Sequence, residues 1–262
     1  MVSVELDQLY AWMNTFLWPF FRILALLATA PLLGETSIPK KVKVGFAAFT
    51  AIVIAPTLPA MPVISPASYE GLLIMLQQVL IGLALGLTMR IVFAAVQTAG
   101  EFIGLQMGLS FASFFDPATG GNTAVLSRFM NVMALLLFMA VNGHLLMLAG
   151  VIRTFDILPI GATSLDPNGW GVMFEWSSQV MVSGMLLALP LIIVLLTINL
   201  ALGILNRTAQ QLSVFAVGFP ISLMVGLLLL TVVLPQSSPF LIRLFQAGYD
   251  SMGKLAQALA GG

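Results

Sequence analysis

The side chains that could do chemistry are few and lie far apart in the sequence. The chain has one histidine, His144, and no cysteine. Ser110 and Ser113 are close to Asp116, but neither serine lies in a nucleophile motif with a base beside it. One histidine and scattered carboxylates are also too few ligands for a zinc site. The sequence therefore predicts a protein without catalytic residues, metal or cofactor, in which His144 is a hydrogen-bonded packing residue.

The composition indicates whether the chain is surrounded mainly by water or by lipid and protein. Of its 262 residues, 60% are hydrophobic and 8% are charged, and the mean hydropathy is +1.06. A soluble domain carries about 25% charged residues, so most of this surface must face lipid or other protein. The basic residues are scattered apart from Lys40, Lys41 and Lys43, which argues against a nucleic-acid partner. We therefore expect an integral membrane protein with lipid among its partners.

Six apolar blocks are predicted to be helical, because they are rich in Leu, Met and Ala and lack the turn signals of short strands. They lie near residues 11–34, 44–64, 71–112, 124–152, 178–205 and 213–234. Their lengths do not suit six simple crossings of about 20 residues each. Pro56 leaves only residues 44–55 as the helical part of the second block, whereas the third would be a helix about 60 Å long. The fold class is therefore all-α, with long kinked helices and helical hairpins.

Glycines in the third block recur at a spacing of four residues. Small residues at this spacing form a smooth stripe on which another helix can approach closely, a common mode of association in membranes. The partner helix could belong to the same chain or to another subunit, and the sequence leaves both alternatives open. The candidate subunit-packing residues are Gly82, Gly86, Gly100 and Gly104.

Three charged residues lie inside apolar blocks. Arg22 is in the first block, and Arg90 and Glu101 are in the third, too far apart along one helix to pair. Charge inside a membrane is costly and usually faces a partner or water. We therefore expect partners for them elsewhere, which favours an oligomer, although Arg22 could also lie at a bilayer edge and extend its charged end outwards.

The connector after the third block carries an unusual set of residues. Phe111, Phe114 and Phe115 are followed by the turn-forming pair Asp116 and Pro117. Irregular backbone at membrane depth is tolerated only when it is buried in protein or lines a cavity. The segment could seal a channel, since apolar rings exclude water and ions, or it could cap a helix packed against a neighbour. The candidate residues are Gly108, Leu109, Ser110, Phe111, Ala112, Ser113, Phe114, Phe115, Asp116 and Pro117.

The last residues have the pattern of an amphipathic helix. Its apolar positions recur at helical spacing and comprise Leu241, Leu244, Phe245, Met252, Leu255 and Leu259. Its polar positions comprise Arg243, Gln246, Asp250, Lys254 and Gln257. Such a helix suits a membrane interface or a groove on a partner, and the sequence does not decide between them.

Four motifs together resemble one family of membrane proteins. They are "GLQMGLSFASFFDP" at 104–117, "LSRFMNVMALLLFMAVNGHLLML" at 126–148, "TFDILPIG" at 154–161 and "AVGFPISLMVGLLLL" at 216–230. In sequence, order and length the chain resembles the flagellar FliR family, which includes counterparts in virulence-associated type III secretion. The resemblance covers essentially the whole chain, and the motif at 104–117 is its most specific part.

The resemblance implies an assembly and a place in the cell. Members of the family join FliP and FliQ subunits in one hetero-oligomeric helical export gate, against which FlhB packs and below which FlhA lies. The expected location is the bacterial inner membrane, in the export gate of the flagellar basal body. Exported proteins would cross through its central channel.

The resemblance also implies how the chain is divided and where its channel segment lies. Residues 1–205 would be FliP-like, and residues 206–262 would form a FliQ-like hairpin with an amphipathic C-terminal helix. The loop at 106–122 would lie in the central channel as part of a plug. In this interpretation Phe111, Phe114 and Phe115 seal the closed channel.

Two alternatives remain beside a flagellar export gate. One is the equivalent gate subunit of a virulence-associated system. The other is a secondary transporter of small solutes, because such proteins have broken helices at their substrate sites and Pro19, Pro190 and Pro220 lie inside apolar blocks. Helix kinks that neighbouring groups compensate explain the same prolines.

Overall fold

A computed structural model describes residues 6–59, 61–109, 125–161, 165–208 and 214–261 of the chain. These residues form α-helices joined by turns and short 3-10 segments, and no β-strand occurs among them, which confirms the all-α prediction. The helices are α1 Leu6–Thr29, α2 Lys40–Ile54, α3 Tyr69–Gln106, α4 Val125–Ala140, α5 Gly143–Ile157, α6 Trp170–Thr208 and α7 Val214–Leu259. The 3-10 segments are Ala55–Thr57 and Pro167–Gly169.

Four helices in the described part of the chain are long and apolar enough to cross a membrane. They are Tyr10–Thr29, Tyr69–Gln106, Pro167–Leu205 and Gly218–Leu259. The bent pair α4 and α5, with an angle of 69°, would make a fifth span if the two helices act as one. At 15 residues, α2 is shorter than a span, as the sequence predicted. The chain is therefore an all-α membrane protein.

Three helix boundaries differ from the predicted blocks. The fourth block is not one helix, because Asn142 takes a left-handed φ of 56° between α4 and α5. Asparagine tolerates this conformation better than most residues do. The third block ends as a helix at Gln106, before the predicted limit at Ala112. The sixth block and the amphipathic tail are not separate, since both belong to the 46-residue helix α7.

The chain divides into two compact units. Unit 1 comprises Met1–Ile91, Asn142–Ser177 and Phe245–Gly262, and unit 2 comprises Val92–Val141 and Ser178–Leu244. The division falls inside α3, α6 and α7, so each of these helices contributes residues to both units. The predicted likeness of residues 1–205 and 206–262 to two different subunits stays a prediction.

In unit 1 the C-terminal part of α7 packs on its own chain. Phe245, Met252 and Leu255 are at most 2% exposed. The hydroxyl of Tyr249 donates to the carbonyl oxygen of Gly143 at 3.0 Å, and the backbone N–H of Asp166 donates to Leu259 at 3.0 Å. The predicted amphipathic pattern is confirmed, because all six apolar positions are buried and the five polar ones are exposed. Within unit 1 the apolar side of the helix packs against other parts of the same chain.

In unit 2 the second part of α3 packs against α4. The rings of Phe93 and Phe138 meet edge to face with their centroids 5.4 Å apart, a favourable arrangement for aromatic pairs. The hydroxyl of Ser127 donates to the carbonyl oxygen of Gln97 at 2.9 Å. Both rings are buried, so this contact forms part of the core of unit 2.

Two glycines of the stripe permit close contact between α3 and α1 in unit 1. A Cβ atom at Gly82 would meet the carbonyl oxygen of Arg22, and one at Gly86 would meet the hydroxyl oxygen of Thr29. That hydroxyl also donates to the carbonyl oxygen of Leu83 at 3.2 Å. The close approach that the spacing predicts therefore occurs within the chain at both positions.

The other two glycines behave differently from each other. A Cβ atom at Gly100 would lie 2.5 Å from the Cα atom of Ser127 on α4, a distance that requires the backbone to move. At Gly104 the nearest atoms are side-chain carbons of Leu109 and Leu126, 3.9 and 4.0 Å away, which is ordinary van der Waals contact. Packing within the chain thus requires glycine at Gly100 but not at Gly104.

This contrast predicts the effect of alanine at the two positions. Gly100→Ala should destabilise the chain by about 1–3 kcal/mol, because α3 and α4 must separate to admit the methyl group. Gly104→Ala should be neutral or stabilising by up to about 1 kcal/mol, since alanine favours the helix. The melting temperature of the full-length protein in detergent measures both effects. Equal melting temperatures of the two variants would contradict the packing described here.

Candidate functional site

The helix α3 stops at the beginning of the predicted channel segment. Gly108 has a φ of 81°, in the left-handed region that glycine adopts at little cost. The N–H of Gly108 donates to Leu105 at 3.0 Å, and the N–H of Leu109 donates to Gly104 at 2.9 Å. This pair of hydrogen bonds is the Schellman motif, which satisfies the last carbonyls of a helix and turns the chain away from its axis. Gly108 is therefore a structural stop for α3.

Only the first two residues of the predicted channel segment belong to the described part of the chain. Gly108 and Leu109 form the end of α3, as given above. The other eight candidates lie outside the described residues, namely Ser110, Phe111, Ala112, Ser113, Phe114, Phe115, Asp116 and Pro117. The description resumes at Val125, the first residue of α4.

An apolar cavity of about 470 Å³ lies in unit 2 beside the start of this segment. Leu109 in the segment and Val125 at the start of α4 both line the cavity. The remaining lining residues come from the end of α3 and from α4 and α7, and they are Met107, Leu126, Phe129, Leu223, Leu227, Leu230, Thr231 and Leu234. Thr231 supplies the single side-chain hydroxyl among ten lining residues, so this space suits apolar groups rather than a polar solute.

Two charged residues in the interior of α3 are on the surface of the chain. Arg90 and Glu101 are both exposed, and the described residues provide neither of them with an ion pair. They lie in different units, since the division falls after Ile91. Their predicted role in contacts with another subunit stays a prediction, and their exposure leaves them available for it.

Arg22 has the partners that the sequence did not reveal. Its side chain is 0% exposed, so its charged end does not extend outwards from the protein. Its Nε donates to the Oε1 atom of Gln78 at 2.8 Å, and its two Nη atoms donate to the Oγ1 atom of Thr154 at 3.1 Å and the carbonyl of Leu158 at 3.0 Å. Arg22 therefore does have partners elsewhere, and because they lie within the same chain it gives no argument for an oligomer.

An aromatic ring completes the surroundings of this guanidinium. The Cζ atom of Arg22 lies 4.1 Å from the centre of the Phe155 ring, within the range of a cation–π contact. All three hydrogen-bond acceptors are neutral, so the positive charge is balanced by dipoles and by the ring instead of by a carboxylate. This cluster joins α1, α3 and α5 within unit 1.

A weak signal for the cluster was present in the sequence. Gln78 is a polar residue inside an apolar block, as Arg22 is, and Thr154 follows two residues after the fourth block. Their separations of 56 and 132 residues from Arg22 gave no sequence reason to pair them. Only the packing of α1 against α3 and α5 brings the three side chains together.

Within the described part of the chain, the side chains that could act in catalysis or bind a metal ion lie apart from one another. Among the described residues, no three side chains of His, Asp or Glu are grouped so that they could hold a metal ion. His144 is half-buried, and its Nδ1 atom is buried without a hydrogen-bond partner in the same part of the chain. The hydrogen bond predicted for His144 is therefore not seen at this atom. Asp116 lies outside the described residues.

Comparison with known proteins gives the family of the chain. The model of the family described as bacterial export proteins, family 1, matches residues 13–248. The chain belongs to this family. It is 48% identical over 261 residues to the flagellar biosynthetic protein FliR of Escherichia coli strain K12, a match that covers 99% of each chain.

Two further FliR proteins extend the comparison to more distant bacteria. The FliR protein of Pectobacterium carotovorum is 45% identical over 95% of each chain. That of Bacillus subtilis is 33% identical over 92% of this chain and 93% of its own. As a member of the FliR family of export proteins, the chain is a membrane component of the flagellar export apparatus.

The geometry around Arg22 predicts that lysine cannot replace it. Arg22→Lys loses the planar fork that reaches three acceptors and the contact with Phe155. Each lost hydrogen bond to a charged group should lower stability by about 1.5–3 kcal/mol. Arg90→Lys is the matched control, because Arg90 is exposed on α3. The melting temperature of the full-length protein in detergent should fall for the first variant alone, and equal values would contradict the role assigned to the cluster.

Proposed function

We propose that the chain is a gate subunit of the flagellar protein export channel in the inner membrane. In this proposal the segment from Gly108 to Pro117 closes the channel through which unfolded export substrates pass. The rings of Phe111, Phe114 and Phe115 exclude water and ions from the closed channel. The chain itself catalyses no reaction and holds no cofactor.

The observation that carries this proposal is the Schellman stop at Gly108 beside an apolar cavity. The stop releases the chain from α3 just before "SFASFFDP" begins. Leu109, the second residue of the segment, and Val125, the first residue of α4, line the same cavity of unit 2. Three phenylalanines between these two apolar residues suit a hydrophobic seal, because removal of their rings from water is favourable.

The proposed partners are FliP and FliQ in one hetero-oligomer, together with FlhB, FlhA and the exported proteins. Family membership and the apolar surface support a role within a larger complex. All four stripe glycines are buried within the chain, so they do not themselves offer an exposed surface to another subunit. Arg90 and Glu101 are exposed charges of α3 that could pair with another subunit.

A secondary transporter is less well supported than a gate subunit. A buried charge such as Arg22 would also suit a transporter. However, Arg22 donates hydrogen bonds to three neutral acceptors and is 0% exposed. A substrate site needs polar groups that remain free for the solute. The cavity in unit 2 is instead almost wholly apolar. The relatives named above are flagellar proteins, which supports a flagellar rather than a virulence-associated gate.

Co-purification separates the gate from the transporter. The tagged chain, expressed with its neighbouring genes, should be recovered in a hetero-oligomer with unlike membrane subunits, as read by native mass spectrometry. A transporter would be recovered alone or as a homo-oligomer. Recovery of a well-behaved homo-oligomer that moves a small solute in vesicles would reject the gate proposal.

Replacing the three phenylalanines tests the seal directly. The triple variant of Phe111, Phe114 and Phe115 to alanine should assemble normally but leak small ions and molecules, because the rings that exclude water are gone. Membrane conductance of the purified complex, or the sensitivity of cells to small toxic molecules, measures the leak. The control is Phe174→Ala, which removes an exposed ring from α6. An assembled triple variant as tight as the wild type would place the seal elsewhere.

A further inference from the structure

Helix α2 contacts the rest of its chain along a narrow stripe. Its buried residues are Ala47, Ala51 and Ile54, and the helix packs on α1. Two of these three are alanines, so the contact holds α2 close to α1 but covers little of its surface. Most of α2 is left without a protein neighbour in this chain.

The opposite side of α2 is exposed and apolar. At 100° per residue, the exposed side chains fall on the side facing away from the buried stripe. They are Val42 (56% exposed), Phe46 (38%), Phe49 (66%), Ile52 (61%) and Val53 (56%). A contiguous apolar patch of this kind marks contact with a partner or a membrane. Water is therefore not the natural neighbour of this side.

The length of α2 decides how it can meet a membrane. Its 15 residues extend about 22 Å, less than the roughly 30 Å of the hydrocarbon core. A helix of this length reaches the boundary between headgroups and acyl chains at one end without crossing to the other side. Lysines at that end would lie at the depth of the lipid headgroups.

The start of α2 carries positive charges that suit an anionic partner. Lys40 and Lys41 are exposed, and Lys43 donates from Nζ to the carbonyl oxygen of Glu35 at 3.0 Å. No acidic residue lies in the first turn of α2, although the positive end of a helix dipole favours one there. Glu35 is the single carboxylate between residues 8 and 69, against three lysines. The local charge is therefore positive and is not balanced by this stretch of chain.

We propose that the outer side of α2, together with Lys40 and Lys41 at the N-terminal end of the helix, is a docking surface for an anionic lipid bilayer. The lysines contact lipid phosphates, and Phe49, Ile52 and Val53 contact acyl chains. Basic residues beside an apolar face are the pattern of helices that bind anionic membranes. A protein partner is the weaker match, because lysine is depleted at protein–protein interfaces. This proposal does not depend on the seal proposed for the channel segment.

Spin labelling identifies what covers the apolar side. Because the chain has no cysteine, Phe49→Cys gives a single labelling site in this chain, and the complex is reconstituted with its co-purifying subunits in vesicles containing phosphatidylglycerol. Signal from the unsubstituted complex, labelled in the same way, is subtracted. The label should be accessible to oxygen and shielded from a water-soluble nickel chelate, as in acyl chains. Access to nickel would mean water, and shielding from both reagents would mean a protein partner; either result overturns the proposal. Ala47→Cys provides the buried reference, and Gln257→Cys the exposed polar one.

Lipid retention tests the headgroup contact. Native mass spectrometry of the complex should show phosphatidylglycerol bound in preference to phosphatidylcholine. The variant with Lys40→Gln and Lys41→Gln should lose that preference by about fivefold for each lysine removed. The matched control changes two exposed cations of α7, with Arg243→Gln and Lys254→Gln, and should retain it. An unchanged preference in the α2 variant, or an equal loss in the control, would overturn the headgroup assignment.

Discussion

A buried guanidinium is the constraint on which the arrangement of unit 1 depends. Because Arg22 is buried away from water, contacts within the protein must replace its lost hydration. An unsatisfied charge in an apolar interior is costly. Its acceptors come from Gln78, Thr154 and the backbone of Leu158. Since these groups lie on α3, on α5 and just after α5, the charge is satisfied only when those elements hold one particular register against α1. A polar cluster in an apolar protein thus specifies position more strictly than apolar packing does.

The close approach of α1 and α3 depends on small residues beside that charge. Gly82 lies against the carbonyl oxygen of Arg22 itself, and Gly86 lies one turn further along against Thr29. Side chains at either position would move α3 away from α1, and a displacement of that kind lengthens the hydrogen bond from Arg22 to Gln78. The glycine contacts and the guanidinium cluster therefore support each other. In a membrane, where apolar surface gains little by moving from lipid to protein, packing and polar contacts of this kind hold helices together.

Unit 2 presents different chemistry around the candidate channel segment. Its α3–α4 contact rests on the Phe93–Phe138 pair and on Gly100, and an apolar cavity lies beside the start of the segment. Apolar contacts are non-directional, so they tolerate rearrangement better than a hydrogen-bonded cluster does. Unit 1 thus rests on a directional hydrogen-bonded cluster, whereas the described contacts beside the segment in unit 2 are mainly apolar.

The sequence by itself determined the apolar surroundings and the helical class, but it extended α3 to Ala112 where the helix ends at Gln106. Composition excluded a water-facing domain, and glycine at position 108 is the residue that a left-handed helix end favours. Tertiary structure alone decided the rest. It paired Arg22 with Gln78 and Thr154, assigned three of the four stripe glycines to contacts within the chain, and packed the amphipathic end of α7 within unit 1. The physical reason is separation along the chain: composition and helix ends depend on neighbouring residues, whereas the partners of a buried group are fixed only when distant helices pack.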